Sequence, residues 1–322
     1  MNKHLFKIVD IVIMTYRPSQ KFVLLLQGLL NQNYNINKIL IINTNENELY
    51  INLDDKNILL LNELLNNKII SLININSSEF DHGASRNIVL KYSNADYIIF
   101  FTNDAVPYND DLVKNLVDGM NKDFLIKASY ARQIPFSDAY YKEKLIREFN
   151  YPNYDIIKSK DTLDLYGIKN YYMSNVCAIY DFKYFKQNNG FTENIILNED
   201  TYFAYKIIND GYKVLYNSKA LVYHSHNYSY AKQFKRYFDI GVSHNKDEIM
   251  LKNISSKKEG FKLFKIVLLD MLKHLKLFEA FDFIIDLFFR YLGFAIGKHY
   301  KYINKNLCLK FTMNKNYFLR NN

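Results

Sequence analysis

Short apolar runs alternate with stretches of helical periodicity over the first hundred residues. Residues 10 to 14, "DIVIM", form one such run, and from Ser19 to Asn33 the positions Phe22, Leu25, Leu26 and Leu29 recur at helical spacing. "KILIIN" at 38 to 43 reads as a second buried strand. Together these segments make a βαβ unit whose strands should pair in parallel. The alternation continues through "KIISLINI" at 68 to 75, a helix opening near Gly83 to Arg86 and carrying Ile88, Val89 and Tyr92, and the strand "DYIIFF" at 96 to 101. The pattern predicts an α/β fold built on an open, mostly parallel sheet flanked by helices. Ligands of such sheets gather outside the carboxyl ends of the strands. Three polar clusters fall there: Thr15-Tyr16-Arg17, Asn43-Thr44-Asn45 and Thr102-Asn103-Asp104, with the loop "FDHGASRN" at 80 to 87 after the third strand.

Residues 121 to 170 are less regular. Beyond them, Asn198-Glu199-Asp200 read as a helix start, since short polar side chains cap and acidic ones suit the N-terminal dipole, and Gly211 reads as its stop. A hairpin is expected next, "YKVLY" and "ALVYH" around Asn217-Ser218. From about 230 the chain turns apolar and basic: Phe261, Phe264, Leu268 and Leu272 keep a helical stripe beside Lys262, Lys265, Lys273 and Lys276. The expected organisation is therefore a catalytic-type unit at 1–226 and a mainly helical region at 227–322. That second region is read either as a basic face on an anionic membrane, as a homo-oligomer contact, or as a cover for the sheet.

Composition narrows the partners. A hydrophobic fraction of 49% and a charged fraction of 23% describe an ordinary folded chain of 322 residues. The net charge of +9 points to an anionic partner, whether nucleic acid, membrane or phosphorylated substrate. No nucleic-acid recognition motif accompanies the charge and the 28 tyrosines, so nucleic acid is not the expected partner. Cys177 and Cys308 are too few and too far apart for a disulfide framework or zinc knuckle, and read as packing residues of a reducing compartment. "MNKHLFKIVDIVIMTYR" is interrupted by Asp10 and reads as a strand, not a signal peptide. No stretch reaches the roughly 18 uncharged apolar residues of a membrane span, so a cytoplasmic location is expected. "MTYRPSQ" holds no glycine and no GxxxxGK[ST] occurs, which excludes the dinucleotide fingerprint and the phosphate-loop NTPases. A sugar-phosphate nucleotidyltransferase would also want a glycine-rich loop there.

Several residues admit both a structural and a chemical reading. Asp104, at a strand's carboxyl end, either caps the turn at Pro107 or holds Mg²⁺ or Mn²⁺. Asp200 either caps a helix or acts as a general base, with Glu199 beside it to tune or position it. Arg86 either receives phosphate near a helix start or forms an ion pair. His224 and His226 would project to the same side of an extended segment, within reach of a site at Asp104.

The order of these signals resembles one family. "VIMTYRP", "FDHGASRN", "FFTNDAVP", "MSNVCAIYD", "GFTEN", "NEDTYFAYKIINDGYKV" and "VYHSHNYS" look like the successive blocks of family 2 glycosyltransferases. "FKRYFDIGVSH" and "FTMNKNYF" are similar to the tail of its bacterial rhamnosyltransferase branch. The resemblance implies a GT-A fold with a C-terminal helical extension, a nucleotide-diphosphate sugar donor, a Mg²⁺ or Mn²⁺ cofactor, and inversion at the anomeric carbon. It implies a glycan or lipid-linked glycan acceptor, with dTDP-L-rhamnose the favoured donor. Carried onto this chain, it makes Asp200 the catalytic base and Asp104, with His224 or His226, the metal ligands. Thr15, Tyr16, Arg17, Asn43, Arg86 and Asn103 then bind the donor, and Asn175 and Glu199 support the centre. Two departures stand out: Thr102 replaces the first carboxylate of the metal motif, and Asn43-Thr44-Asn45 sits where an acidic residue commonly contacts the base. A catalytically silent nucleotide-sugar-binding relative is the first alternative, and a basic RNA-binding protein, suggested by the charge and the tyrosines, ranks below it.

Overall fold

A computed structural model of the chain describes residues 6–246 and 257–320. The parts of the expected C-terminal region at 247–256 and 321–322 lie outside the described residues. Strands β1 (Val9–Thr15), β2 (Ile36–Thr44), β3 (Ile70–Ile75) and β4 (Tyr97–Thr102) pair in parallel in the order β3-β2-β1-β4. Helices α1 (Gln20–Leu30), α2 (Asp55–Leu65) and the short α3 (His82–Asn87) connect them. All seven residues of β1 are buried because both faces are covered. Ile11 and Ile13 enter a core that includes Leu25 and Leu29 of α1, while Val12 and Met14 enter the core on the opposite face.

The second half of the sheet is mixed. Strand β8 (Cys177–Asp181) pairs antiparallel with β4 and with β6 (Ile126–Ile134), and β6 pairs in parallel with β9 (Lys213–Tyr223). The far edge of β9 is shared by β7 (Ile156–Lys158) and the two-residue β5 (Val106–Pro107), both antiparallel to it. This directionality decides where the polar groups meet. The carboxyl ends of β1, β2, β4, β6 and β9 and the amino end of β8 all lie at one end of the sheet.

Three local expectations are corrected. The hairpin at Asn217-Ser218 is absent: residues 213–223 run as one strand with a register shift opposite Ala131 and Arg132. The amide of Asn217 donates to Asn115 O at 2.8 Å and Ser218 Oγ donates to Asp155 at 2.7 Å, so the polar pair is tied down sideways as a bulge. Helix α3 stops at Asn87, and Ile88 and Val89 follow in a tighter 3₁₀ turn that leaves Tyr92 outside it. The stripe expected from Phe261 to Leu272 is rotated: Val267 and Met271 are the buried positions, and Phe261 and Leu272 face out.

The remaining helices are α4 (Leu112–Met120), α5 (Tyr141–Asn150), α6 (Leu163–Tyr166), α7 (Phe182–Gln187), α8 (Glu199–Asn209), α9 (Tyr230–Lys246), α10 (Lys257–Lys273), α11 (Leu277–Lys298), α12 (Lys305–Phe311) and α13 (Lys315–Arg320). Helices α9 and α11 touch backbone to backbone. A Cβ on Gly293 would lie 2.3 Å from Phe234 O, and one on Gly297 would lie 2.1 Å from Phe238 O. Val267 and Met271 of α10 and Phe283 of α11 pack with Ile146 of α5, which anchors this layer to the sheet domain. Among the described residues no helix is long and apolar enough to cross a membrane. Both cysteines are free and buried, as packing residues are.

Candidate active site

Pairing of β5 with β9 sets Val106 opposite Tyr223. Two residues before Val106 stands Asp104, and the residues after Tyr223 bring His224 and His226 to either side of it. His224 Nε2 lies 3.6 Å from Asp104 Oδ1 and His226 Nε2 lies 3.4 Å from Oδ2. All three groups offer ligand atoms within 4.8 Å of one another.

Proton bookkeeping shows what belongs between them. Gln133 Nε2 donates to Ser174 Oγ at 3.0 Å, which fixes its Oε1 as an acceptor; that oxygen takes an N–H from Arg147 and lies 2.8 Å from His224 Nδ1. His224 therefore carries its proton on Nδ1, and its Nε2 lone pair faces a carboxylate. Two acceptors facing one another call for a cation. Burial lowers the pKa of both histidines, that of His226 to about 3, and so favours the neutral, ligating form. Burial would raise Asp104; a hydrogen bond from His224 and the positive charge that either ring carries when protonated act the other way and hold it below the ordinary carboxylate range, and with the rings neutral a bound cation takes the place of that charge. Two imidazoles and one carboxylate are a fitting donor set for a divalent transition metal.

Asp200 stands in the first turn of α8. The capping reading of Asn198 is not met: its φ is +73°, in the left-handed region, and its amide donates to Ser243 Oγ at 3.1 Å. Asp200 accepts the Asn175 N–H at 2.9 Å and the Thr201 N–H at 2.7 Å. The Asn175 side chain donates to Glu199 at 2.9 Å and accepts from Tyr180 Oη at 2.7 Å. Glu199 is buried and 3.2 Å from Arg86, which also donates to His82 O. Of its two readings, Arg86 shows the ion pair: it is buried, and its Nη1 lies 3.2 Å from Glu199, while its Nε is buried without a hydrogen-bond partner. Burial would raise Glu199, yet Arg86 and His82 lower it. For Asp200 burial and the Glu199 charge both act upward, so its pKa is raised.

The two carboxylates share one end of the sheet. Thr102 N–H, two residues before Asp104, donates to Val176 O at 3.2 Å, and Asn175 N–H, one residue before Val176, donates to Asp200.

A cavity of about 430 Å³ opens at the ends of β1 and β2, lined by Tyr16 and Thr44. Asn103 donates to Tyr16 O at 3.3 Å, which ties this cavity to the Asp104 loop. At these strand ends Thr15 Oγ1, Asn43 Oδ1 and Thr44 Oγ1 are buried without a hydrogen-bond partner, and of the three residues Thr44 lines the cavity. Arg17 turns aside at φ +44° and pairs with Glu48. The opposite wall is the C-terminal segment from Met313 to Arg320. Arg320 pairs with Asp81 at 3.1 Å, Asn314 meets His82 at 3.2 Å, and Asn316 donates to Ser77 O. Asp239 of α9 holds this segment by accepting from Thr312, Met313 and Asn314. Sequence reasoning missed Asp81, His82, Gln133 and this wall. The tail phrase "FTMNKNYF" was the available signal, but it carries no chemistry until it is folded against residues 77–82.

The model of glycosyl transferase family 2 matches residues 10–188. The chain is 35% identical over 312 residues, 96% of each chain, to the O-antigen chain rhamnosyltransferase RfbN of Salmonella typhimurium. It is 35% identical to the O-antigen chain rhamnosyltransferase WbaN of Salmonella anatum, over 77% of this chain and 79% of that one. Among solved structures it is similar to the mannosyltransferase PcManGT from Pyrobaculum calidifontis in complex with GDP-Man and Mn²⁺, with a TM-score of 0.55 and 13% identity over 98% of this chain and 86% of that one. S. aureus TarS 1-349 follows at a TM-score of 0.52 and 14% identity, over 81% and 69%. At these identities the structural likeness shows the fold, the GT-A architecture expected from the sequence. The chain belongs to glycosyl transferase family 2.

Proposed function

We propose that this chain transfers an L-rhamnosyl unit from dTDP-rhamnose to a hydroxyl of a growing cell-surface glycan, with inversion at the anomeric carbon. The observation that carries the reading is the placement of Asp104, with its two histidines, just past the end of β4, and of Asp200 on α8, hydrogen-bonded to the Asn175 N–H just before the adjacent strand β8. The sugar is supported by the two rhamnosyltransferases that are 35% identical to the chain.

Asp104, His224 and His226 would hold the divalent cation, and this donor set suits Mn²⁺ better than Mg²⁺, which prefers oxygen alone. When bound, the cation neutralises charge on the departing diphosphate. Thr15, Tyr16, Asn43 and Asn103 border the nucleotide, whose base enters the cavity beside Thr44, where Thr44 Oγ1 is an orphaned group that a pyrimidine edge can satisfy. Arg86 acts through Glu199 and does not touch the donor. Asp200 accepts the proton of the acceptor hydroxyl as that oxygen attacks the anomeric carbon and the bond to the diphosphate breaks. Its orientation comes from the Asn175 and Thr201 N–H groups, and its basicity from burial and the Glu199 charge.

In this reading residues 1–226 carry the chemistry, and 227–322 complete the donor pocket and rest on the inner face of the plasma membrane. The outer face of α10 and α11 supports that contact: Phe261, Leu269, Phe278, Phe281, Ile284 and Phe288 are exposed, Phe278 by 91%, with Lys262, Lys265 and Lys273 exposed among them. Apolar side chains interspersed with lysines complement an anionic lipid surface. Sedimentation with phosphatidylglycerol vesicles, lost in Phe278→Ser/Phe281→Ser, is the expected outcome. A concentration-dependent dimer dispersed by the same change would instead make this face a contact between copies.

Thermal-shift screening against dTDP-rhamnose, UDP-sugars and GDP-sugars with and without Mn²⁺ tests the donor. A rise in Tm with dTDP-rhamnose that requires Mn²⁺ is expected. A response to another nucleotide alone would overturn the donor assignment. Release of dTDP by the wild-type chain separates an active enzyme from a silent relative.

A further inference from the structure

We infer that a second cavity, of about 420 Å³, receives the acceptor saccharide and pairs an anionic group on it with Lys158, an inference that rests on the saccharide-directed transfer proposed above. The cavity is walled by Tyr130 of β6, Tyr216 of β9 and the segments around Tyr154, Tyr166 and Tyr172. Such flat, amphipathic side chains offer ring faces to the apolar side of a sugar and hydroxyls to its edge.

The charge of the lining is one-sided. Among the described residues Lys158, Lys169 and Lys262 contribute to it, and no Asp or Glu does. Lys158 is only 3% exposed; its ammonium donates to Tyr130 Oη at 2.8 Å and Tyr172 O at 2.5 Å, which leaves one of its three donors. Among the described residues no carboxylate pairs with it, and burial followed by the like charge of Lys169 lowers its pKa to about 7. A buried ammonium without a counter-charge is costly, and an anionic ligand removes that cost.

Position joins this cavity to the reaction. Tyr172 also lines a smaller cavity that reaches His226, and Tyr130 and Tyr172 both lie within the field of Asp200. The donor cavity is lined by the ends of β1 and β2, whereas this one opens on β6, β7 and β9. Lys262, from the helix whose outer face is proposed to meet lipid, contributes to its lining. The anion is a carboxylate of an acidic sugar or the phosphate through which a saccharide is joined to a lipid.

Calorimetric titration of the full chain, with dTDP and Mn²⁺ present to fill the donor site, distinguishes these sources. The probes are methyl glucuronide for the acidic sugar and decyl diphosphate for the lipid-linked one. One of them is expected to bind, and Lys158→Met should weaken it about tenfold or more while dTDP affinity stays unchanged. If Lys158→Met does not fold, Tyr154→Ala at the exposed rim should weaken the same probe about fivefold. Binding of neither probe to a wild-type chain that takes up dTDP, or equal probe binding by the variant, overturns the assignment. Failure of the wild-type chain to bind dTDP overturns instead the function on which the assignment rests.

Discussion

Asp104 and Asp200 are the same side chain at the same end of one sheet, yet their surroundings drive them in opposite directions. Asp104 faces two imidazoles whose N–H and positive charge, when protonated, hold it below the usual carboxylate range, a role a bound cation takes when they are neutral; Asp200 is buried beside Glu199 and is raised above it. The difference teaches that in this molecule the neighbours, not the residue type, assign the chemistry. A carboxylate that never protonates is suited to a cation, and one poised to take a proton is suited to a base. Glu199 is the agent of the second environment. Arg86 and His82 keep it charged, and its charge lifts Asp200.

The largest expected effect comes from abolishing one side of this contrast. Asp200→Asn should lower turnover by about 10²–10⁴-fold with Mn²⁺-dependent dTDP affinity intact, measured by product release and calorimetry; normal turnover would refute the base assignment. Asp104→Ala should do the reverse in binding, removing the Mn²⁺-dependent part of dTDP affinity; an unchanged affinity would end its metal role. Gln133→Ala, which frees the His224 ring, should weaken Mn²⁺ by about 10–100-fold, read by titrating activity with metal.

Glu199→Gln sharpens the contrast by pH. With the Glu199 charge present the pKa of Asp200 is raised, so activity falls as pH drops through that raised value. Removing the charge lowers the pKa and moves the acid limb to lower pH. The variant should also lose about 3–5 kcal/mol of stability, because Arg86 is left buried without its partner. An acid limb that stays in place would show that Glu199 does not tune Asp200. The smallest expected effect lies at the far wall of the donor cavity, where Lys315→Ala should weaken dTDP about threefold by removing one exposed charge. No change there would leave the tail as a cover without ligand contact.

The periodic half of the fold was legible because β1, β2 and β4 carry short apolar runs that end on polar clusters, so their order fixes which end of the sheet holds Thr15, Asn43 and Asp104. The pairing of His224 and His226 with Asp104 was legible as alternation along an extended segment. What was hidden depends on contacts between distant parts of the chain. Arg86 meets Glu199 across 113 positions, and Arg320 meets Asp81 across 239, neither of which any local pattern encodes. At Asn217-Ser218 a strong local turn signal lost to Asp155 and Asn115, whose hydrogen bonds hold the pair within one strand. The stripe on α10 misleads for the opposite reason: Phe261 and Leu272 keep helical spacing, but they face away from the core.

The contrast itself can be measured by following the carboxylate carbons of ¹³C-labelled aspartate by NMR across pH in the metal-free chain, with Asp104→Asn and Asp200→Asn assigning the two signals. The account requires Asp200 to titrate above the ordinary aspartate range and Asp104 to remain ionised below it. Two ordinary titrations, or the reverse order, would contradict it.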